Sequence, residues 1–588
     1  MPALPRLAAT AFALFLAAGS ARAATVARVD IRGLDAPMTQ NVRVSLSLVD
    51  AIGKDVSGRR LAYLVREAEA ETRSALEPFG YYSPTIDVQR TPAGKAVVVT
   101  VTVARGTPVR VRRSHVAIAG GGADDRALQQ VIDAFAPAVG AVFDQGLYEG
   151  SKAKVAQRLS ERGYFDADFA SHTVEVTRAG NAADIDLVWN SGVRYALGAV
   201  TFTQSPQPVI RDKLLRKLVR WTPGDAYRQG DLDRLRQSLA ALDYFSRIEV
   251  EPLPEQAVDH RVPVQVALTP AKRSIYTAGV SYGTDSGPGV RLGVERRYLN
   301  ARGHKALAEI DYAQRRKTLT LQYRIPAFAW VDGWYTASLQ AADEQTDYID
   351  TRRVEFVASR SGQLNTHLTA TAALHALRER WAYPDPQAQL APAWQYATFT
   401  FPSLRADYVD VDDRLYPRRG IGASLELRGG VKGAGSDADF AQLHAQGSWF
   451  KGLGRDNRLI VRGEFGHTFT DSVLELPPSL RFYAGGDRSI RGYNYREVGP
   501  RLRNFGLGAN NVITASTEFE HYFTAQWGGA VFVDSGSAFN GRTPDWHTGV
   551  GVGLRWRSPV GPVRVDVAHG LDHPDSAVTL YLSFGADL

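Results

Sequence analysis

The chain has no cysteine among its 588 residues. That excludes a disulfide framework and any thiolate metal site. No segment after the first two dozen residues holds 18 continuous apolar residues, so nothing there reads as a membrane-crossing helix. The apolar stretch near the start, Leu7 to Ala18, is too short to span a bilayer; it follows Arg6 and precedes Ala21-Arg22-Ala23. A charged start, a short apolar core and a small-x-small site predict a secretory signal peptide over 1–23, cleaved after Ala23. Its removal takes away Arg6 and Arg22 and no acid, lowering the formal charge from +7 to +5. A clustered basic stripe, the footprint of a nucleic-acid binder, is missing too.

Catalytic and metal patterns are equally scarce. Ser535 lacks the Gly-x-Ser-x-Gly elbow of a nucleophilic serine. His569 and His573 are four apart, but they lie outside any helical pattern and no Glu follows the first, so they do not read as a zinc pair. Gly549-Val550-Gly551-Val552-Gly553 sits in a strand pattern and opens no helix, which excludes a dinucleotide fingerprint. The expectation is a protein that is not an enzyme, with no cofactor, no metal and no nucleic-acid partner.

What is present falls into two halves. In the first, three segments end their helical regions with an aromatic pair: Phe79-Gly80-Tyr81-Tyr82, Arg162-Gly163-Tyr164-Phe165 and Leu242-Asp243-Tyr244-Phe245. Aligned on Tyr81, Tyr164 and Tyr244, the spacings are 83 and 80. The second and third segments also share Gly-x-x-aromatic-x-Gln-Gly, as Gly140 to Gly146 and Gly224 to Gly230, at a shift of 84. A repeat this long predicts small domains rather than solenoid turns. Leu61 to Leu76, Tyr148 to Leu159 and Leu232 to Leu242 carry apolar residues at helical spacing; Val97 to Val103, Ile185 to Trp189 and Val262 to Leu268 alternate as strands. Each unit reads as strand, two helices, then two strands, with the helices on one face of a small sheet. The bounds are 24–107, 108–194 and 195–272. Small sheets leave edge strands to which an extended peptide can add.

The second half, 273–588, is aromatic: eight of the ten tryptophans follow residue 275. Short alternating runs repeat through it. Thr318 to Ile325 puts Leu, Leu, Tyr and Ile on one face and Thr, Thr, Gln and Arg on the other, and Val578 to Phe584 repeats the arrangement. Aromatics at strand ends match the interfacial girdles of an outer-membrane barrel. At about 20 residues per strand and turn, the half predicts roughly sixteen antiparallel strands. Strands in hydrocarbon must close on themselves, because every N–H and C=O needs a partner. The expected class is therefore α+β repeats followed by an all-β transmembrane barrel.

One loop does not fit a mere connection. Gly485-Gly486-Asp487-Arg488-Ser489-Ile490-Arg491-Gly492-Tyr493 places Ile490, Arg491 and Tyr493 among three closely spaced glycines. Downstream come Phe532-Val533-Asp534-Ser535-Gly536 and Gly551 to Pro562; upstream, Asp412 to Gly420 reads as a hairpin turn leading into a strand at Ala423 to Leu427. In this order, after the repeats, these segments resemble the BamA/TamA superfamily of outer-membrane assembly factors. The repeats resemble its polypeptide-transport-associated (POTRA) domains, and the third unit departs from that pattern with Asp243 in the glycine position. The resemblance implies that the loop, with Gly485, Gly486, Ile490, Arg491, Gly492 and Tyr493, folds into the lumen. It also implies that Arg491 pairs with Asp534 of the Phe532-x-Asp534-x-Gly536 strand, with Phe532 packing beside it.

Three POTRA units match the translocation-and-assembly-module branch, against the usual five of BamA-like proteins and two of two-partner secretion transporters. The resemblance implies a place in the outer membrane with the POTRA domains in the periplasm. It also implies a TamB-like inner-membrane-anchored partner docked on 24–107, and unfolded outer-membrane proteins, autotransporter-like ones included, as clients. Outer-membrane lipid is a further expected partner. Such a barrel could work by opening a lateral seam between its first and last strands. Here the first is expected near Tyr276, Gly279 and Gly283; the last runs from Val578 through Leu580 to Phe584, with Gly585 following. Glycine weakens strand pairing. Two alternatives stay open at this point: a pore exporting a passenger protein, and lipid transport between membranes with the TamB-like partner.

Overall fold

In a computed structural model of the chain, the described residues are 24–94, 96–283, 287–328, 331–345, 349–383, 393–502, 505–558, 561–572 and 578–584. The expected signal peptide and Gly585 lie outside them. Among the described residues no helix is long and apolar enough to cross a membrane. The chain divides into two compact units: 1–199 with 221–230 and 252–263, and 200–220 with 231–251 and 264–588.

Three small sheets precede the large one. The first is ordered Asp55–Val56, Ala24–Arg32, Ala96–Ala104, Thr85–Ala93, with a parallel central pair. The short Asp55–Val56 strand is an addition to the expected order of elements; it pairs with the start of Ala24–Arg32 at the sheet edge. Against this sheet lies the helix Gly58–Leu76, opened by Ser57 accepting from Arg60 N–H. Its buried Leu61, Leu64, Ala68, Ala75 and Leu76 follow the helical period. Truncating Leu64 to alanine should cost about 2–5 kcal/mol. The second sheet has Ala182–Asn190 between Arg110–Ala119 and Asp168–Thr177; in the third, Arg261–Pro270 lies between Ala196–Gln204 and Phe245–Pro252.

The Gly-Tyr pairs end the long helices. Tyr81 N–H reaches Leu76 O and Tyr164 N–H reaches Leu159 O, while Gly80 and Gly163 both take φ +85. This is the left-handed helix stop that glycine allows. Asp243 takes the same position with φ +53, a conformation aspartate tolerates better than most residues. Its carboxylate is held by Arg297 at 2.8 Å.

The second repeated motif proves to be the mate of the first. A Cβ on Gly80 would lie 2.8 Å from Phe143 O, and one on Gly163 would lie 2.6 Å from Tyr227 Cβ. Phe143 and Tyr227 are the aromatics of the two Gly-x-x-aromatic-x-Gln-Gly motifs. Gly80 O accepts from Val109 N–H and Gly163 O from Tyr195 N–H, both at 2.8 Å. Each Gly-Tyr pair is thus a socket for the next domain. Tyr244 follows suit toward the barrel, donating its hydroxyl to Gly303 O at 2.5 Å.

The large sheet has sixteen strands in sequence order. They are β1 (Ser274–Gly283), β2 (Gly287–Arg296), β3 (Lys305–Ala313), β4 (Arg316–Pro326), β5 (Val331–Gln345), β6 (Asp350–Gln363), β7 (Leu368–Ala382) and β8 (Gln395–Val411). Then follow β9 (Arg419–Gly430), β10 (Phe440–Leu453), β11 (Asn457–Phe469), β12 (Asn511–Tyr522), β13 (Trp527–Phe539), β14 (His547–Ser558), β15 (Gly561–Gly570) and β16 (Thr579–Phe584). Neighbours are antiparallel throughout. β1 and β16 come within 8 Å, Cα to Cα, at the closure. Along β4, Leu319, Leu321, Tyr323 and Ile325 are exposed on the outer face, while Thr318 and Thr320 line a lumenal cavity of about 390 Å³. Because side chains alternate between faces, one apolar alternation both coats the barrel and fills its lumen with polar groups.

Candidate functional site

The connection between β11 and β12, residues 470–510, folds against the inner wall. Leu476 and Leu480 join Leu377, Trp381, Phe399, Phe401 and Phe440 in one apolar cluster. Phe482, Ile490, Tyr493 and Val498 join Val512 and Ala538 in a second. The glycines make the close path possible: Gly485, Gly486 and Gly492 have φ +101, +105 and +99.

Strand registry builds the receiving wall. Ser516 is opposite Asp534, Glu518 opposite Phe532, Asp534 opposite Gly549, and Gly553 opposite Asp566. All face inward. Into this patch comes Arg491, 2% exposed. Its Nε donates to Asp534 Oδ2 at 2.7 Å and its Nη2 to Oδ1 at 2.9 Å. Its backbone N–H donates to the same Oδ2 at 3.1 Å. Nη1 reaches Glu518 Oε2 at 2.8 Å and Asp566 Oδ2 at 3.1 Å. The guanidinium lies 3.3 Å from the centre of the Phe532 ring. A planar fork that meets one carboxylate bidentately and stacks on an aromatic face is a task lysine cannot do.

The network extends well beyond this pair. Arg555 bridges Glu518 at 2.7 Å, Asp566 at 2.5 Å and Glu520 at 3.1 Å, and Arg458 holds Glu520 at 2.8 Å. Arg462 lies 3.7 Å from Glu518. Four guanidinium groups (Arg458, Arg462, Arg491, Arg555) therefore face four carboxylates (Glu518, Glu520, Asp534, Asp566), and Arg564 of β15 adds a fifth cation beside Glu518 and Glu520. Buried ions of this kind are tolerable only when paired and hydrogen-bonded.

The glycine run Gly549–Gly553 has its explanation here. A Cβ on Gly549 would collide with Arg491 O, one on Gly551 with the Phe532 ring, and one on Gly553 with the Asp566 carboxylate. These glycines are a groove in the wall for the loop and its network. Sequence reading placed them in a strand but gave them no role; their inward-facing spacing of two was the available signal. Gly536 is tight for another reason: a Cβ there would meet Ile513 O of the adjacent strand at 2.5 Å.

Two further contacts had no sequence signal. Tyr581 of β16, 2% exposed, accepts from Gly492 N–H at 3.0 Å and donates to Tyr493 O at 2.6 Å. The loop is thereby tied to the last strand. At the other end of the lumen the β8–β9 turn folds inward. Asp412 accepts from Asp413, Arg418 and Arg419 N–H. Tyr416 then sits between Arg458 and Arg557, 3.9 and 3.8 Å from its ring centre. The turn does lead into a strand, which begins at Arg419.

Of the expected seam residues, Tyr276 and Leu580 are exposed, 78% and 58%. Gly279 has open space where a Cβ would stand. Gly283 closes β1 opposite Gly287, and Phe584 lies opposite Val563. Val578 is exposed but precedes β16. Among the described residues no ladder joins β1 to β16. His573 lies outside the described residues, and among those described no His, Cys, Asp or Glu group is arranged to hold a metal.

Residues 299–586 match the Omp85 superfamily domain, 28–105 match the first POTRA domain of TamA, and 195–270 match the POTRA surface-antigen repeat. The chain is 23% identical over 373 residues to the outer membrane protein assembly factor BamA of Nitratidesulfovibrio vulgaris, covering 62% of this chain and 47% of that protein. It is 20% identical over 429 residues to BamA of Neisseria meningitidis serogroup B, covering 61% and 52%. It thus spans about half the length of these relatives. The crystal structure of Haemophilus ducreyi BamA lacking POTRA domains 1–3 superposes with TM-score 0.66 at 16% identity, over 81% of this chain and 99% of that one. That likeness is one of fold: POTRA-like domains ahead of a sixteen-stranded antiparallel barrel. With an Omp85 superfamily domain over 299–586 and POTRA matches ahead of it, the chain has the make-up of an outer-membrane barrel with periplasmic POTRA domains.

Proposed function

We propose that this protein is an assembly and translocation factor that helps insert or secrete autotransporter-like β-barrel clients through the β1–β16 seam. The observation that carries the reading is the closure itself. The two strands lie within 8 Å, yet no ladder joins them among the described residues. An unpaired edge recruits a strand, and main-chain pairing is largely indifferent to client sequence. Tyr581 links β16 to the lumenal loop, so the Arg491 network is positioned to set how easily β16 moves. The units 24–107, 108–194 and 195–272 act as three POTRA domains, and the first docks a TamB-like inner-membrane-anchored partner. The match of 28–105 to the first POTRA domain of TamA supports that branch.

The test uses the chain's lack of cysteine. One cysteine is placed in β1 and one in β16, at a Cα separation of about 4.4–6.8 Å. The oxidised protein should fail to assemble an autotransporter client, and reduction should restore it. Full activity in the locked form refutes the seam. Depletion followed by outer-membrane proteomics and a measurement of lipid asymmetry separates protein assembly from lipid transport.

A further inference from the structure

The outer face of the barrel carries charge where lipid should be. Five consecutive strands place Lys317, Asp343, Arg352, Arg380 and Tyr396 directly opposite one another. Their parity is that of the exposed Leu319, Leu339, Val354, Phe356 and Leu374, so the row points outward. It lies at the strand ends away from the POTRA connection, which enters at Ser274, and therefore near the extracellular boundary. Arg378, one rung below, faces outward as well. Among the described residues, Asp343, engaged by Arg352 at 2.9 Å, and Asp350 beside Arg352 are the acids set against these four cations, which leaves the patch net positive.

Two features make this more than an interfacial girdle. Arg352 and Arg380 are cross-strand partners, and like charges directly opposite destabilise a sheet unless an anion lies between them. Cations on the lipid face also carry a cost that grows with depth. Beneath the row runs a groove of about 530 Å³, lined by Ile310, Leu319, Ala341 and Val354 with Lys317, Arg352 and Arg380 at its charged margin. Cations above an apolar groove match the chemistry of a phosphate joined to acyl chains. Arg380 also stacks over Trp394 at 4.7 Å, which holds its guanidinium at the margin.

We propose that this face binds a phosphate-bearing lipid of the outer leaflet, its phosphate between Arg352 and Arg380 and an acyl chain along Leu319 and Val354. The proposal needs only the barrel in its membrane and is independent of the seam.

The test measures binding to the full-length protein in detergent, by native mass spectrometry and thermal shift. The probes are diphosphorylated lipid A, the same lipid dephosphorylated, and inorganic phosphate. Lipid A should bind and raise the melting temperature, and the other two should not. The variant R352Q/R380Q should bind lipid A roughly tenfold more weakly, since each lost charge-assisted bond weakens the complex. Retention of heat-modifiable migration reports that it folds. Val354→Trp, which fills the groove and keeps every charge, should weaken binding too. Equal binding by either folded variant overturns the proposal, as does equal binding of the dephosphorylated lipid or an equal effect of inorganic phosphate.

Discussion

Removing one member of the Arg491–Asp534 pair should cost more than removing both would suggest. With Arg491→Ala, the buried Asp534 loses both guanidinium bonds and the stacked ring contact loses its cation. Breaking a buried pair from one side costs about 3–5 kcal/mol. With Asp534→Ala, Arg491 keeps Glu518 and Asp566, so the cost should lie near the lower end of that range. The double variant leaves neither member of the pair buried without the other. Its cost should therefore fall short of the sum by about 2–3 kcal/mol, the coupling expected of residues in one network. Arg491→Lys should recover little, because an ammonium cannot make the bidentate contact. The assay is denaturant unfolding of the full-length protein in detergent, followed by tryptophan fluorescence, with client assembly in cells as a parallel readout. Singles that add to within about 0.5 kcal/mol, or a lysine variant as stable as the parent, would refute the reasoning.

Gly549→Ala should reproduce the Arg491→Ala phenotype without touching a charge, since the new methyl collides with Arg491 O; limited proteolysis of the 470–510 loop should show it released. Tyr416→Ala removes the ring between Arg458 and Arg557 and should raise single-channel conductance in planar bilayers, with unchanged conductance counting against an inward-folded turn. In the second small domain, burial alone would raise the Asp125 pKa, but Arg162 at 2.7 Å and the Ala127 N–H outweigh it, so it lies below 3.8. A depressed carboxylate contributes stability above its unfolded value that is lost as pH falls through the native one. Hydrogen exchange in 108–194 should therefore lose protection on acidification below pH 3.8, and Asp125→Asn should flatten that loss while lowering protection at neutral pH.

Much of the fold was legible because period alone decides it. Helical spacing in Leu61–Leu76 and alternation in Thr318–Ile325 each require a particular backbone and a particular buried face, whatever the surroundings. The Gly-Tyr pairs were legible as helix stops, since left-handed backbone is a local property. Their partnership with Phe143 and Tyr227 was not, because it joins residues some sixty apart through contacts that neither motif encodes alone. At the candidate site the sequence supplied the Arg491 loop and the Asp534 strand through their resemblance to a family. It did not supply Glu518, Asp566 and Arg555, which are ordinary inward residues of three other strands.

By itself, then, the sequence determined the repeats, the barrel alternation, the near-sixteen strand count and the odd glycine loop, all of them consequences of local period and local backbone freedom. Only the tertiary structure decided that five arginines and four acids meet around that loop, that Gly549–Gly553 is a groove, that Tyr581 ties the loop to the last strand, and that Arg352 and Arg380 stand side by side toward lipid. These depend on strand register, where a slip of one residue would turn every side chain to the other face. Register is fixed by the pairing of whole strands around the barrel and by no single segment.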